Sequence, residues 1–310
     1  MFFKLETGNP TGSYKDRFAA AAVSHMLSRD ESACIATSSG NTGAALAAYC
    51  AAARIACRIA IVETAPAGKL KQMLAYGADL ARIRGFGIDP KITQATFSLL
   101  KRLGSEPGHA LQVSAYAISP LGMEGVESIA HELDEQLTGR IDHVFCPAGG
   151  GGLCLATARG FEKGGASPAI HCVQPEGNDT MAGPLREGND HGRRVEPCST
   201  AISGLQVPTV IDANETIAAC RRSGGTGHLV PDDEVWHWQA RLARDEGVFC
   251  EPAGAVALAS TVRARAKGEI GGDDVVVCLV TGSGFKDEAS LDRMIADVEA
   301  PLVDLGEFAC

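Results

Sequence analysis

The sequence predicts an α/β protein in which mostly parallel sheets are covered by helices on both faces, and three observations carry that prediction. Short apolar runs rich in Val, Ile, Ala and Cys alternate with longer helix-forming segments, which is the pattern of βα units. Twice a small polar or glycine-rich loop stands between such a run and an apolar helix, at 38–43 and at 149–152. That arrangement turns backbone N–H groups at a helix start toward an anion. The 310 residues, 45% hydrophobic and 21% charged, are ordinary globular usage and long enough for two domains or one large one.

Taken in order, Phe2-Phe3-Lys4-Leu5 reads as a strand remnant with almost nothing before it. A domain that starts in mid-strand reads as one that has lost a leading segment, or as a shortened variant of its kind. Asn9-Pro10-Thr11-Gly12-Ser13 is a turn, and the Ala-rich run after Asp16 is a helix with no Gly or Pro to break it. Strands follow at 33–37, 57–62 and 78–83, with helices at 44–53, 67–76 and 89–103 between and after them. Gly77 is placed to end the second of these. The later half predicts helices at 121–137, 153–161, 214–223 and 232–246, with Pro231 before the last and Gly247 after it. Strands are predicted at 141–146, 169–174 and 275–280. The polar stretch 176–200 reads as a long loop or lid near the site.

Lys15 stands in the first turn of its helix, where the dipole is positive and four N–H groups lack partners. A solvated surface lysine is one reading. The other is an amine whose pKa is lowered by that positive end and by burial, a nucleophile able to form a Schiff base. Gly149, Gly150, Gly151 and Gly152 run directly into a helix, and backbone N–H groups wrap a phosphate most closely where no Cβ intervenes. The run is neither a dinucleotide fingerprint nor a Walker loop, so a monophosphate suits it. At the end of the last strand Thr281 or Ser283 offers a hydroxyl to the crevice where ligands of open α/β sheets collect.

The net charge of −10 argues against nucleic acid or an anionic membrane as partner, and no apolar run reaches a membrane span. The chain reads as soluble and cytoplasmic. Its 11 cysteines contain no Cys-x-x-Cys and lie mostly in apolar runs, so they read as buried reduced thiols, and the eight histidines show no metal-ligand spacing. No metal is expected.

Four motifs, Asn9-Pro10-Thr11-Gly12-Ser13-Tyr14-Lys15-Asp16-Arg17, Ser38-Ser39-Gly40-Asn41-Thr42-Gly43, the tetraglycine and Thr281-Gly282-Ser283-Gly284-Phe285-Lys286-Asp287, come in the order and spacing of the fold type II pyridoxal-phosphate enzymes. The first and last resemble threonine synthase. Pro147-Ala148-Gly149-Gly150-Gly151-Gly152-Leu153 and Glu251-Pro252-Ala253-Gly254-Ala255 resemble serine/threonine dehydratases and serine racemase.

The resemblance implies two three-layer α/β/α domains with pyridoxal 5′-phosphate in the cleft between them. Residues 1–15 and 115–310 would form the large domain and 16–114 a small mobile one. It also implies that Lys15 is the Schiff-base lysine and the base at the α carbon, that Asn41 bonds the ring O3′, and that Thr281 meets the ring nitrogen. A hydroxyl there, in place of a carboxylate, favours expelling a leaving group at Cβ. Gly149, Gly150, Gly151 and Gly152 would bind the cofactor phosphate, and the backbone around Ser38, Ser39, Asn41 and Thr42 the substrate carboxylate. Ser39 could also supply the acid that a racemase needs on the second face. Tyr14 replaces the Phe usual before the lysine, a mild change. Gly122-Met123-Glu124-Gly125-Val126-Glu127-Ser128 departs from the synthase motif at that place. The implied activity is a lyase acting on an O-activated homoserine, with dehydration of a β-hydroxy amino acid as the alternative and a cofactor-binding protein without turnover as a third reading. A homodimer is the family expectation.

Overall fold

The computed structural model describes residues 1–65, 67–138 and 140–308. Its strands are β1 (Phe2–Leu5), β2 (Ala33–Thr37), β3 (Ala56–Val62), β4 (Asp79–Ile83), β5 (His109–Gln112), β6 (His143–Pro147), β7 (Ala169–Pro175), β8 (Gly227–Val230) and β9 (Val276–Val280). In the first half the helices are α1 (Lys15–Ser28), α2 (Asn41–Ala53), α3 (Ala67–Ala75), α4 (Pro90–Gly104), α5 (Pro120–Glu124) and α6 (Ser128–Gln136). The second half adds α7 (Gly152–Gly164), α8 (Ala182–Arg186), α9 (Ala213–Arg222), α10 (Asp232–Glu246), α11 (Pro252–Ala266), α12 (Glu288–Met294) and α13 (Leu305–Phe308).

The strands form two sheets, one of five strands in the order β1-β9-β6-β7-β8 and one of four in the order β4-β3-β2-β5. Every neighbouring pair is parallel, as the βα alternation predicts. The chain leaves the first sheet after β1, builds the whole of the second, and returns to the first at β6. Helix α1 packs on both α2 and α5. One apolar cluster runs from Ile59 and Leu46 through Phe18 and Met26 to Leu155 and Cys146. Each such fully buried side chain contributes about 1.5–3 kcal/mol of hydrophobic stabilisation. A second cluster, with Val235, Val256 and Val280, fills the space between α10, α11 and the large sheet.

Four details differ from the sequence expectation. Helix α2 starts at Asn41, so the polar loop already supplies its first residues. The predicted single helix 121–137 is α5, a 3-10 turn at 125–127, and α6. A Cβ on Gly125 would lie 2.3 Å from the Arg17 carbonyl oxygen, so α1 crosses against bare backbone, and Gly122 and Gly125 serve helix packing there. The first part of the stretch 176–200 is packed and not a free loop: Asn178, Thr180, Met181 and Leu185 are buried, and the Gln174 side chain accepts from the N–H groups of Met181 and Ala182 at 2.8 and 2.9 Å, whereas the part after Leu185 is a mostly exposed loop. Finally, β5 and β8, the edge strands opposite β4 and β1, carry too few apolar residues in a row to announce themselves. Gly77 and Gly247 do adopt the left-handed conformation expected of helix ends, with φ of 82° and 67°.

Candidate active site

The turn before α1 is held by its own side chains. The Asp16 carboxylate accepts from Thr11 N–H at 3.1 Å, from the Thr11 hydroxyl at 2.8 Å and from Ser13 N–H at 3.4 Å. Two backbone bonds then fasten the turn to the end of β9: Tyr14 N–H donates to the Thr281 carbonyl at 2.9 Å, and Ser283 N–H to the Gly12 carbonyl at 2.8 Å. Lys15 and Thr281, 266 positions apart in the sequence, are thereby fixed on one wall.

Lys15 begins α1, as the sequence predicts, and its amine donates to Tyr14 Oη at 2.6 Å and to Ser114 Oγ at 2.8 Å. Burial lowers its pKa to about 8, against the raising influence of Glu251 and Asp212. The Phe-to-Tyr exchange is therefore not a mild one here, because the phenol oxygen is a direct partner of the amine. Burial, with Glu251 adding to it, raises the Tyr14 pKa far enough that the phenol stays protonated.

Glu251, one residue ahead of α11, is buried at the centre of the site. Its carboxylate accepts from Asn41 Nδ2 at 2.9 and 3.1 Å and from the Thr281 hydroxyl at 3.1 Å. Burial raises its pKa, and the two donors together with Lys286 and Lys69 oppose that rise. The hydroxyl that the sequence reading set by itself at the strand end is thus backed by a carboxylate. Glu251 stood in a quoted motif, yet nothing local to that motif announces that Asn41, 210 positions away, is its partner.

Gly149, Gly150, Gly151 and Gly152 lie between β6 and α7. Gly151 has φ +99°, and a Cβ there would meet Thr216 Oγ1 at 2.4 Å. No side chain caps α7. Among the described residues the N–H groups of Gly150, Gly151 and Gly152 find no protein acceptor, so three donors are left unpaired at a positive helix end. Asp212, which the sequence reading missed, lies beside them. Its carboxylate accepts from Tyr116 and Ala117 N–H at 2.9 and 3.0 Å, and burial raises its pKa. Ser38, Ser39, Asn41 and Thr42 line the start of α2, all half-buried. Ser38 Oγ accepts from Gly40 N–H at 3.2 Å, whereas Ser39 and Thr42 share no side-chain hydrogen bond with Lys15, and Gly40 provides no side-chain cap.

A buried amine of lowered pKa, an uncapped glycine run, a hydroxyl and an amide are the groups that a phosphorylated aldehyde cofactor requires. The family model described as "Pyridoxal-phosphate dependent enzyme" matches residues 1–282. The chain belongs to that family. It is 32% identical to a threonine synthase of Bacillus sp. (strain ULM1) over 293 residues, covering 93% of this chain and 78% of that one. With a threonine synthase of Methanocaldococcus jannaschii it shares 30% identity over 310 residues, covering 97% and 74%. Among solved structures, threonine deaminase isoform 2 from Solanum lycopersicum superposes with a TM-score of 0.78 at 23% identity, covering 95% of this chain and 77% of that one. Maize serine racemase does so with 0.77 at 23%, covering 95% and 86%. These last two share the fold. The chain is a pyridoxal-phosphate-dependent enzyme with lyase chemistry.

Proposed function

We propose that the enzyme is threonine synthase-like: it removes the γ substituent of an O-activated homoserine, with O-phosphohomoserine the first candidate, and adds water at Cβ. When bound, pyridoxal phosphate supplies the electron sink that acidifies the substrate Cα–H. The side chains divide the remaining work. Lys15 would hold the cofactor and carry the proton at Cα; Gly149, Gly150, Gly151 and Gly152 would hold its phosphate; Thr281 would serve its ring nitrogen and Asn41 its ring oxygen. The start of α2, with Ser38, Ser39, Asn41 and Thr42, receives the substrate carboxylate. Residues 16–114 act as a small domain that closes on residues 1–15 and 115–310 and excludes water. A homodimer in the cytoplasm accords with this reading.

One observation favours a phosphorylated substrate over a β-hydroxy amino acid. Lys286, half-buried, donates to the neutral Gln72 Oε1 at 2.6 Å and has no carboxylate within ion-pair distance among the described residues. Burial lowers its pKa. Glu251 and Asp16 attract this cation only from beyond ion-pair distance, which leaves it able to meet a phosphate that arrives with the substrate. Lys69, bonded to Ser203 and 3.3 Å from Asp287, adds a second positive charge.

The test is to offer the cofactor-loaded protein O-phosphohomoserine, threonine and serine in turn, following phosphate release and 2-oxo acid formation. Phosphate with threonine as product is expected. Oxo acid from threonine or serine with no phosphate would assign a dehydratase, the alternative that the Pro147–Leu153 and Glu251–Ala255 motifs resemble. Bound cofactor that no amino acid perturbs would mean a binder without turnover. In Lys286→Ala the KM for O-phosphohomoserine should rise about tenfold or more while cofactor binding is kept, since a hydrogen bond to a charged group is worth about 1.5–3 kcal/mol.

A further inference from the structure

Three cysteines from three elements converge. Cys34 of β2 and Cys57 of β3 are register partners across the strand pair, so their side chains leave the sheet on the same face. Cys50, near the end of α2, lies against them. The three sulfur atoms all lie within 4.8 Å of one another and all three residues are buried. Among the described residues no other three His, Cys, Asp or Glu groups meet so closely. In the other half of the molecule Cys154 touches Cys146, Cys172 and Cys220, yet those sulfurs do not converge on one point in the same way.

Three sulfurs bound to one ion at ~2.3 Å stand about 4 Å apart, so slight side-chain rotations close the set. Neither an imidazole nor a carboxylate joins it, and the cysteines share an apolar cluster with Ala36, Leu46, Ala47 and Ile59, which keeps water from serving as a fourth ligand. Tetrahedral zinc is therefore poorly provided for, whereas thiolates select soft ions that accept fewer ligands.

We propose that Cys34, Cys50 and Cys57 form a three-sulfur binding site for a soft ion, monovalent copper. Binding moves no electrons: the ion enters and the thiols release protons to solvent as thiolates form. The ion would tie β2, α2 and β3 together at the ends of these elements away from the 38–41 loop.

The experiment is an anaerobic titration of the full cofactor-loaded chain with copper(I) against a chromogenic chelator. One equivalent should resist the chelator, with X-ray absorption counting three sulfur neighbours and no nitrogen or oxygen. Cys50→Ala and Cys57→Ala should each weaken retention about tenfold or more, and Cys154→Ala should leave it unchanged. Should the core variants not fold, alkylation mapping of the wild-type protein decides, since bound copper must shield Cys34, Cys50 and Cys57. Loss of all copper to the chelator, a shielded set elsewhere, or equal retention in folded Cys50→Ala and Cys57→Ala would overturn the proposal.

Discussion

At the scale of single residues the chemistry turns on what surrounds one amine. An ordinary lysine titrates near 10.4, and at pH 7 only about one molecule in 2,500 would be a nucleophile. Burial brings Lys15 to about 8, so the reactive fraction rises roughly tenfold per pH unit up to that value. The initial rate at which cofactor-free protein captures pyridoxal phosphate covalently should follow that rise and level off above it. A midpoint near the ordinary lysine value would refute this environment. Tyr14→Phe keeps the aromatic ring, which lies 4.3 Å from the amine, but removes the phenol oxygen that accepts from the charged form. The charged form loses more than the neutral one, so the midpoint should move further down, by up to about one unit. In Lys15→Ala the bound chromophore should be lost altogether.

At the scale of elements the two glycine-rich loops are built by different means, and a pair of substitutions separates folding from binding at one of them. Gly151→Ala forces a side chain onto a backbone at φ +99° and against Thr216. A left-handed conformation alone costs about 1–2 kcal/mol, and the clash adds to it. The melting temperature of cofactor-free protein should fall by several degrees. Gly150→Ala meets nothing nearer than Val207 at 3.6 Å, so the cofactor-free protein should melt nearly as before while affinity for pyridoxal phosphate drops. Unchanged affinity of Gly150→Ala for pyridoxal phosphate would show that Gly150 is not lining the cradle. Much of this was legible beforehand: Lys15, the tetraglycine and Thr281 each sit at a strand or helix end that local sequence reveals. Asp212 and the partnership of Glu251 with Asn41 were not, because their geometry depends on groups 95 and 210 positions away. The edge strands β5 and β8 were also silent, since His109-Ala110-Leu111-Gln112 and Gly227-His228-Leu229-Val230 have too little apolar periodicity to stand out from a loop.

At the scale of the whole molecule, function and acid stability belong to opposite ends of the five-stranded sheet. The proposed cofactor site, with the tetraglycine and Thr281, lies beyond the carboxyl ends of β6 and β9. Away from it, His143, His171 and His228 stand on the adjacent strands β6, β7 and β8 and bond in a row, 3.0 Å between each pair of ring nitrogens. Asp274 closes one end at 3.2 Å, and Glu269 faces the other at 3.5 Å, with Arg186 bonded to the same glutamate. Burial lowers His171 to about 3, with the His228 and His143 charges adding to it, and burial lowers His228 to about 4 against the opposing pull of Glu269. Both folded values lie below the ordinary 6.5, so the unfolded chain binds these two protons first as the pH falls. Stability is therefore whole above about pH 6.5 and declines toward pH 4, at about 1.4 kcal/mol per pH unit for each histidine once it is charged in the unfolded chain. Denaturant melts at successive pH values should trace that decline. His171→Gln keeps a polar group between His143 and His228 but cannot titrate, so the decline between pH 6 and 4 should be about half as steep. An identical slope in the variant would place the acid sensitivity elsewhere in the fold.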